Sequence, residues 1–209
     1  RSKRVAPGLD DKMVCSWNAL MIEALADAYL TFGDEDFLSS VIVTAQFMEA
    51  NLYSQDGLKR IYKNGEATVN AFAEDYALCC QAFIKLFEAT GEERYLIFAK
   101  KLMEDAVANF YDEEQELFYF KSKHDKQLVT RKIDLNDDVI PSANSVLANC
   151  LFLLGYFYDE ENYHQIAQKM LTRVQAKIEK FPSGYSNWLQ VLLRSEERRV
   201  GKECLRLCR

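Results

Sequence analysis

Residues 71–96 read AFAEDYALCCQAFIKLFEATGEERYL, and the pattern within this stretch decides the fold. From position 72 to 89 it is apolar nearly all round, which demands burial on most faces. Gly91 stands where a helix closes into a tight turn, the role glycine fills without steric cost. Glu92 and Glu93 follow at once and suit the positive end of a second helix. Beyond them Tyr95, Phe98, Leu102, Ala106 and Phe110 fall on one stripe. That spacing predicts an outer helix with one face on the core and one in water.

The hairpin recurs. GDEDFLSSVIVTA from Gly33, GEERYLIFAKKLM from Gly91 and DEENYHQIAQKML from Asp159 share its pattern. Phe37, Tyr95 and Tyr163 align at separations of 58 and 68 residues, and Asn18, Tyr76 and Asn144 repeat both separations. Two markers moving together make a true repeat. The expected inner helices are 17–32, 72–89 and 142–157; twelve of the sixteen residues in the first are hydrophobic. Phe37, Val41, Ala45 and Met48 give the first outer stripe, and Tyr163, Ile166, Met170, Val174 and Ile178 the third. The expected fold is all-α, a partial (α/α)6 toroid of about three helical hairpins over residues 1–195. Three hairpins fill about half of such a ring, so the chain reads as a piece of a longer protein with one apolar side open to its other half.

The returns between hairpins are long for a compact domain, which favours small structure of their own. Lys63-Asn64-Gly65 separates Leu58-Lys59-Arg60-Ile61-Tyr62 from Ala67-Thr68-Val69, a β-hairpin signal. In the second return, Leu117-Phe118-Tyr119-Phe120 is expected to pair with Leu128-Val129-Thr130-Arg131. Both excursions lead back to the start of an inner helix and should roof one rim.

A net charge of -6 with no basic stripe argues against a nucleic-acid surface. The longest apolar run, 151–158, falls far short of the ~20 residues a membrane span needs. Cys15, Cys79, Cys80 and Cys150 lie within apolar helical patterns, where free cysteine acts as a small hydrophobe; reduced thiols point to a cytoplasmic compartment. Residues 196–209, EERRVGKECLRLCR, lack the helical apolar spacing found upstream and read as a non-native or disordered tail.

Polar residues gather where the inner helices begin. Asp10-Asp11 precedes Ser16-Trp17-Asn18; Glu74-Asp75-Tyr76 opens the second helix; Asp137-Asp138 precedes Ser142-Ala143-Asn144. Caps and helix dipoles account for some of these. Aromatic faces with carboxylates and amides around a concave mouth are also what a sugar site requires. Glu74, Asp75 and Asp11 are the catalytic candidates; adjacent carboxylates in a cavity should leave a proton donor beside an acceptor. Trp17, Asn18, Tyr76, Arg131, Asp138 and Asn144 are the candidate binding residues, with Arg131 and Lys132 as counter-ions near Asp134. His124 and His164 read as solvated surface. No residue set has metal-ligand spacing, and no cofactor is expected.

LDDKMVCSWNALMIEALADAY (9–29), AFAEDYALCCQAFIKLFEATGEERYL (71–96) and RKIDLNDDVIPSANSVLANCLFLLG (131–155) together resemble the C-terminal part of the YyaL-type thioredoxin-domain-containing proteins, a family with vertebrate spermatogenesis-associated relatives. The resemblance implies an upstream thioredoxin-like domain and a toroid similar to N-acylglucosamine 2-epimerases and six-hairpin glycosidases. Epimerases of that fold use paired histidines, and neither His124 nor His164 lies at an inner-helix mouth. Two readings follow: a toroid that binds or transforms a small sugar, or a scaffold serving the upstream domain.

Overall fold

The computed structural model describes residues 4–5, 8–125 and 130–207, with side chains to residue 196. Three helical hairpins appear as expected: α1 (Cys15–Phe32) with α2 (Glu35–Asn51), α3 (Ala73–Thr90) with α4 (Glu93–Phe110), and α5 (Ala143–Phe157) with α6 (Glu161–Lys180). Gly33 and Gly91 close α1 and α3 in the left-handed region, at φ 70° and 71°, and donate back to Tyr29 and Phe87. The third turn has no glycine at this point; Asp159 takes the positive φ instead. Among the described residues no helix is long and apolar enough to cross a membrane.

The inner helices run parallel. Cys15 meets Cys79, Glu23 meets Gln81 and Asp27 meets Lys85, so positions rise together along α1 and α3. Cys80 with Cys150 and Phe87 with Phe157 show the same for α3 and α5. All three N-termini therefore open on one rim. The outer side of α3 packs on α4 through Phe83 against Tyr95 and Phe98. Of the six cysteines, Cys15, Cys79, Cys80 and Cys150 lie among the described side chains, and these four are buried and free.

A fourth inner helix, α7 (Ser186–Leu207), follows a short 3-10 turn at Pro182–Gly184 and packs on α5. Sequence reading missed it, although Pro182-Ser183 repeats Pro141-Ser142 at a separation of 41 residues. Its backbone stays helical through residue 207. Glu, Arg, Lys and Leu all favour helix, and a packed first half removes the nucleation cost.

Repeat equivalence explains why α1 differs from its siblings. Asp75, Cys79, Ala82 and Leu86 form the side of α3 that faces α1, and all are buried. Ala143, Leu147, Cys150 and Leu154 do the same on α5, as do Gly184, Trp188, Val191 and Ser195 at the start of α7. The equivalent positions on α1 are Trp17, Met21, Ala24 and Ala28. Trp17 is 68% exposed and Met21 57%. The expectation that α1 is buried on most faces is thus corrected: it is an edge helix, with bare the side its siblings use for packing.

The returns carry two small sheets. Strand β3 (Gly57–Lys63) pairs antiparallel with β4 (Glu66–Asn70) across Asn64-Gly65, the expected hairpin, with Tyr62 opposite Ala67. β1 (Met13–Val14) and β2 (Tyr53–Ser54) also pair with β3. In the second return β6 (Leu117–Phe118) pairs with β5 (Tyr111–Asp112). Of the partner expected from sequence, Leu128 and Val129 lie outside the described residues. The return is instead tied locally, with the Phe120 N–H donating to the Lys132 carbonyl at 2.8 Å.

His164 is also corrected. It is buried at the α5–α6 contact, 5.7 Å from Phe152 between ring centroids, beneath Gly155. A Cβ at position 155 would lie 2.9 Å from the imidazole. Gly155→Ala is expected to cost about 1–3 kcal/mol by overpacking, more than the roughly 1 kcal/mol of helix propensity it gains. A urea titration showing a midpoint at or above that of the parent would refute this.

Candidate functional site

At the rim, α3 begins with Phe72-Ala73-Glu74-Asp75. The Phe72 N–H would be left without a helical partner, and Asp75 accepts it at 2.9 Å, half of a capping box. The same Asp75 Oδ2 receives Arg60 Nη1 at 2.8 Å. Arg60 comes from β3 and also reaches Glu74 Oε1 at 3.4 Å, so one guanidinium serves both carboxylates. It lies 5.1 Å from the Phe72 ring centroid, and Phe72 stacks on Phe120 at 4.7 Å. Asp75 is 0% exposed, whereas the Glu74 side chain keeps 22% of its surface.

Arg60 is one residue of the candidate site that sequence reading did not single out. Its signal was weak: a charged residue within a hairpin strand, opposite no acid of its own strand pair. The sequence offered Arg131 as the counter-ion instead. In the fold Arg131 stacks 3.6 Å from the Tyr119 ring centroid, with Asp112 4.0 Å away. Lys132 does pair with Asp134, at 3.1 Å.

Beside this cap lies a cleft of about 330 Å³, lined by Glu74, Phe120, Lys132, Asp134, Asn136, Asp138, Val139, Ile140, Pro141, Ser142 and Ala143. It joins the mouths of α3 and α5. Asp137 turns away from it and braces the fold behind: one oxygen accepts the Ser142 N–H at 3.0 Å and the Ser145 hydroxyl at 2.7 Å, and the other accepts the Asn187 N–H at 2.8 Å. Ser142 itself caps α5, its hydroxyl accepting the Ser145 N–H at 3.1 Å, and the Asp137 carboxylate ties that cap to the start of α7. Three further carboxylates, an ammonium and an aromatic edge remain in the cleft, a set able to bind hydroxyl groups and exchange protons.

The expectation that Asp11, Trp17, Asn18, Glu74, Asp75, Tyr76 and Asn144 surround one mouth is corrected. Glu74 and Asp138 share the cleft. Asp75 is enclosed as a cap and ion-pair partner. Asn144 is buried and clamps backbone, accepting from the Phe118 N–H at 2.8 Å and donating to the Phe118 and Asp134 carbonyls at 2.9 Å each. Tyr76 is buried, its hydroxyl accepting the Leu58 N–H at 2.9 Å, and burial pushes its phenol up to about 12. It lines a separate cavity of about 200 Å³, which also contains His124. Asp11 is exposed and bonded to Lys63 at 2.5 Å, and that bond lowers its carboxyl from the ordinary value. Asn18 donates to the Val14 carbonyl one turn back. Trp17 stands on the bare side of α1. Caps and clamps claimed most of the polarity because each helix start must satisfy its free N–H groups first.

The family model described as Beta-L-arabinofuranosidase, GH127 catalytic domain, matches residues 2–136. Spermatogenesis-associated protein 20 of Mus musculus is 27% identical over 92% of this chain, and an uncharacterized protein of Caenorhabditis elegans 27% over 87%. The chain spans 26% of the length of each. Among solved structures, a sugar epimerase from a ruminal bacterium aligns with TM-score 0.67 and 13% identity, over 80% of this chain and 46% of its own. A GH76 α-mannanase of Bacteroides thetaiotaomicron aligns with TM-score 0.65 and 18% identity, over 84% and 46%. These likenesses show the (α/α) toroid fold.

Proposed function

Because the chain belongs to the family of the β-L-arabinofuranosidase GH127 catalytic domain, we propose that its rim cleft binds a saccharide, with Glu74 as the carboxylate that acts on it. One observation carries the reading. The cleft of about 330 Å³ at the α3 and α5 mouths holds Glu74, Asp134 and Asp138 beside Lys132 and Phe120. Its volume suits a sugar ring of drug-fragment size. Arg60 fixes Glu74 at the edge without burying it, and two carboxylates across a cleft are the minimum for acid–base work on a glycosidic bond. Asp138 is the second carboxylate in this proposal. Asp75 serves it by holding Arg60. The proposal includes a thioredoxin-like domain and a further half-ring in the longer protein, supported by the segments at 9–29, 71–96 and 131–155. The four free thiols support a reducing, cytoplasmic setting.

The test is titration with L-arabinose, D-mannose and cellobiose, followed by NMR, together with hydrolysis of p-nitrophenyl β-L-arabinofuranoside. Glu74→Gln is expected to weaken sugar binding at least tenfold and to leave the melting temperature within 2 °C. Its contact with Arg60 is long, and Asp75 retains the guanidinium. Binding that survives Glu74→Gln unchanged would remove Glu74 from the site. The scaffold reading is favoured by one observation, the bare apolar side of α1 at Trp17 and Met21.

A further inference from the structure

Two of the free thiols touch. Cys15 opens α1 and Cys79 lies in α3, 64 residues further along the chain, and their sulfurs stand 3.2 Å apart and share a hydrogen bond. Both side chains are buried. The repeat does not ask for this contact: the residues equivalent to Cys15 are Ala73 and Pro141, and those equivalent to Cys79 are Met21 and Leu147. A disulfide holds its sulfurs about 2 Å apart, so the pair lies about 1 Å short of a covalent bond.

The place of the pair matters as much as the distance. Cys79 is one turn beyond Asp75, the carboxylate that holds Arg60. Cys15 follows directly on β1, whose Val14 is paired with Ile61, the neighbour of Arg60 on β3. A bond between the two sulfurs ties the strand that carries Arg60 to the helix that carries Glu74 and Asp75. Cys15 also sits where the rim is least fastened. Ser142 caps α5 and Asp75 holds the Phe72 N–H at the start of α3, whereas α1 begins at Val14 with no side-chain cap and no acidic residue in its first turn. The Ser16 hydroxyl is buried there without a hydrogen-bond partner among the described residues, a further cost to the closed state. Trp17 and Met21 stand bare on the free side of the helix, so little packing holds this end down. Opening of that turn brings Cys15 to water while Cys79 stays on α3. The Cys79 thiol is pushed well above its ordinary value by its hydrogen bond with Cys15 and by burial, and the Asp75 carboxylate adds to the rise. It stays protonated and acts second; Cys15 is the sulfur that meets an oxidant.

We propose that Cys15 and Cys79 form a peroxide-sensitive dithiol, a modification site that closes reversibly into a disulfide and braces the rim. The Cys15 thiol gives up its proton and attacks hydrogen peroxide as the thiolate. The O–O bond breaks, the sulfur gains a hydroxyl as a sulfenic acid, and the departing hydroxide takes up the proton as water. The Cys79 sulfur then attacks the sulfenic sulfur, the S–O bond breaks, and the Cys79 proton leaves with the hydroxyl as a second water. Two thiols and one peroxide thus give one disulfide and two waters. A dithiol reductant reverses the bond by exchange. Transient disulfides of this kind are the ones a reducing compartment permits.

The 209-residue chain, treated with excess hydrogen peroxide, alkylated in denaturant and digested, should yield a cross-linked peptide joining Cys15 to Cys79, two hydrogens lighter than its reduced parts. The melting shift is read in a Cys204→Ser/Cys208→Ser background, which removes the two cysteines beyond the described side chains. There the oxidised form should melt about 5–10 °C above the reduced one, since the bond closes a long loop, and dithiothreitol should restore the lower value. Cys15→Ala should lose both the cross-link and the shift. Recovery of Cys15 and Cys79 as alkylated thiols after peroxide, or a link from Cys80 to Cys150 in place of this one, overturns the proposal without need of any variant. A Cys15–Cys79 link that leaves the melting temperature unchanged, or lowers it, overturns the brace. Every readout is independent of sugar binding.

Discussion

Asp75→Ala is expected to lower the melting temperature of this chain by roughly 6–12 °C. The side chain is fully enclosed and holds two donors, the Phe72 N–H at 2.9 Å and Arg60 at 2.8 Å. Removing one member of a buried ion pair costs about 3–5 kcal/mol, because the remaining charge stays desolvated. Arg60 is partly exposed and keeps its longer contact to Glu74, which puts the expected loss near the lower figure. Each kcal/mol shifts a domain of this size by about 2–4 °C. Asp75→Asn should fall between the two, since it retains an acceptor for Phe72 but abolishes the ion pair. Differential scanning calorimetry decides the matter: a shift under 2 °C for the alanine variant would show that Asp75 is not the strut described. Any loss of sugar binding in these variants should track the loss of fold, whereas Glu74→Gln should separate the two.

Asn144→Ala is expected to cost about 3 kcal/mol. Its amide pairs with both backbone groups of Phe118 and with the Asp134 carbonyl. Alanine would strand those groups, each at about 1–3 kcal/mol if it stays dry, although local loosening of the return would admit water and relieve part of it. Because the clamp fixes the segment carrying Asp134 beside the cleft, hydrogen exchange should accelerate at Phe118, whose N–H Asn144 holds. Exchange rates there that match the parent would refute the clamp. Asn144→Asp is a sharper form of the test: it preserves the acceptor for the Phe118 N–H and sets a carboxylate against two carbonyl oxygens.

Much of the fold is legible in the residues because helical phase is a local property. Gly33 and Gly91 mark turns by their own stereochemistry, and Tyr95 through Phe110 reveal an outer helix through spacing alone. The candidate site was only partly legible. Glu74 and Asp75 stand out in the sequence as adjacent carboxylates before an apolar helix, yet nothing in the chain near them says that Arg60, fourteen residues before Glu74, reaches both. Adjacent residues on a helix point about 100° apart, so Asp75 turned toward α1 and the strand while Glu74 turned to the cleft. His164 shows the same limit. Its own helix gives it a polar setting, and its burial depends on the space left by Gly155 on another helix.

The sequence by itself determined the repeat, the parallel inner helices opening on one rim, the β3–β4 hairpin and the polar character of the mouths. These rest on periodicity, turn stereochemistry and capping preference, all of which act over a few residues. Only the tertiary structure decided which polar groups are consumed by the fold and which remain for a ligand. That choice depends on partners brought together from distant positions: Arg60 with Asp75, Phe118 with Asn144, Asn187 with Asp137. It also decided that α1 is an edge while α7 is a fourth inner helix. An apolar face records only that it needs a neighbour, and the neighbour is supplied by packing.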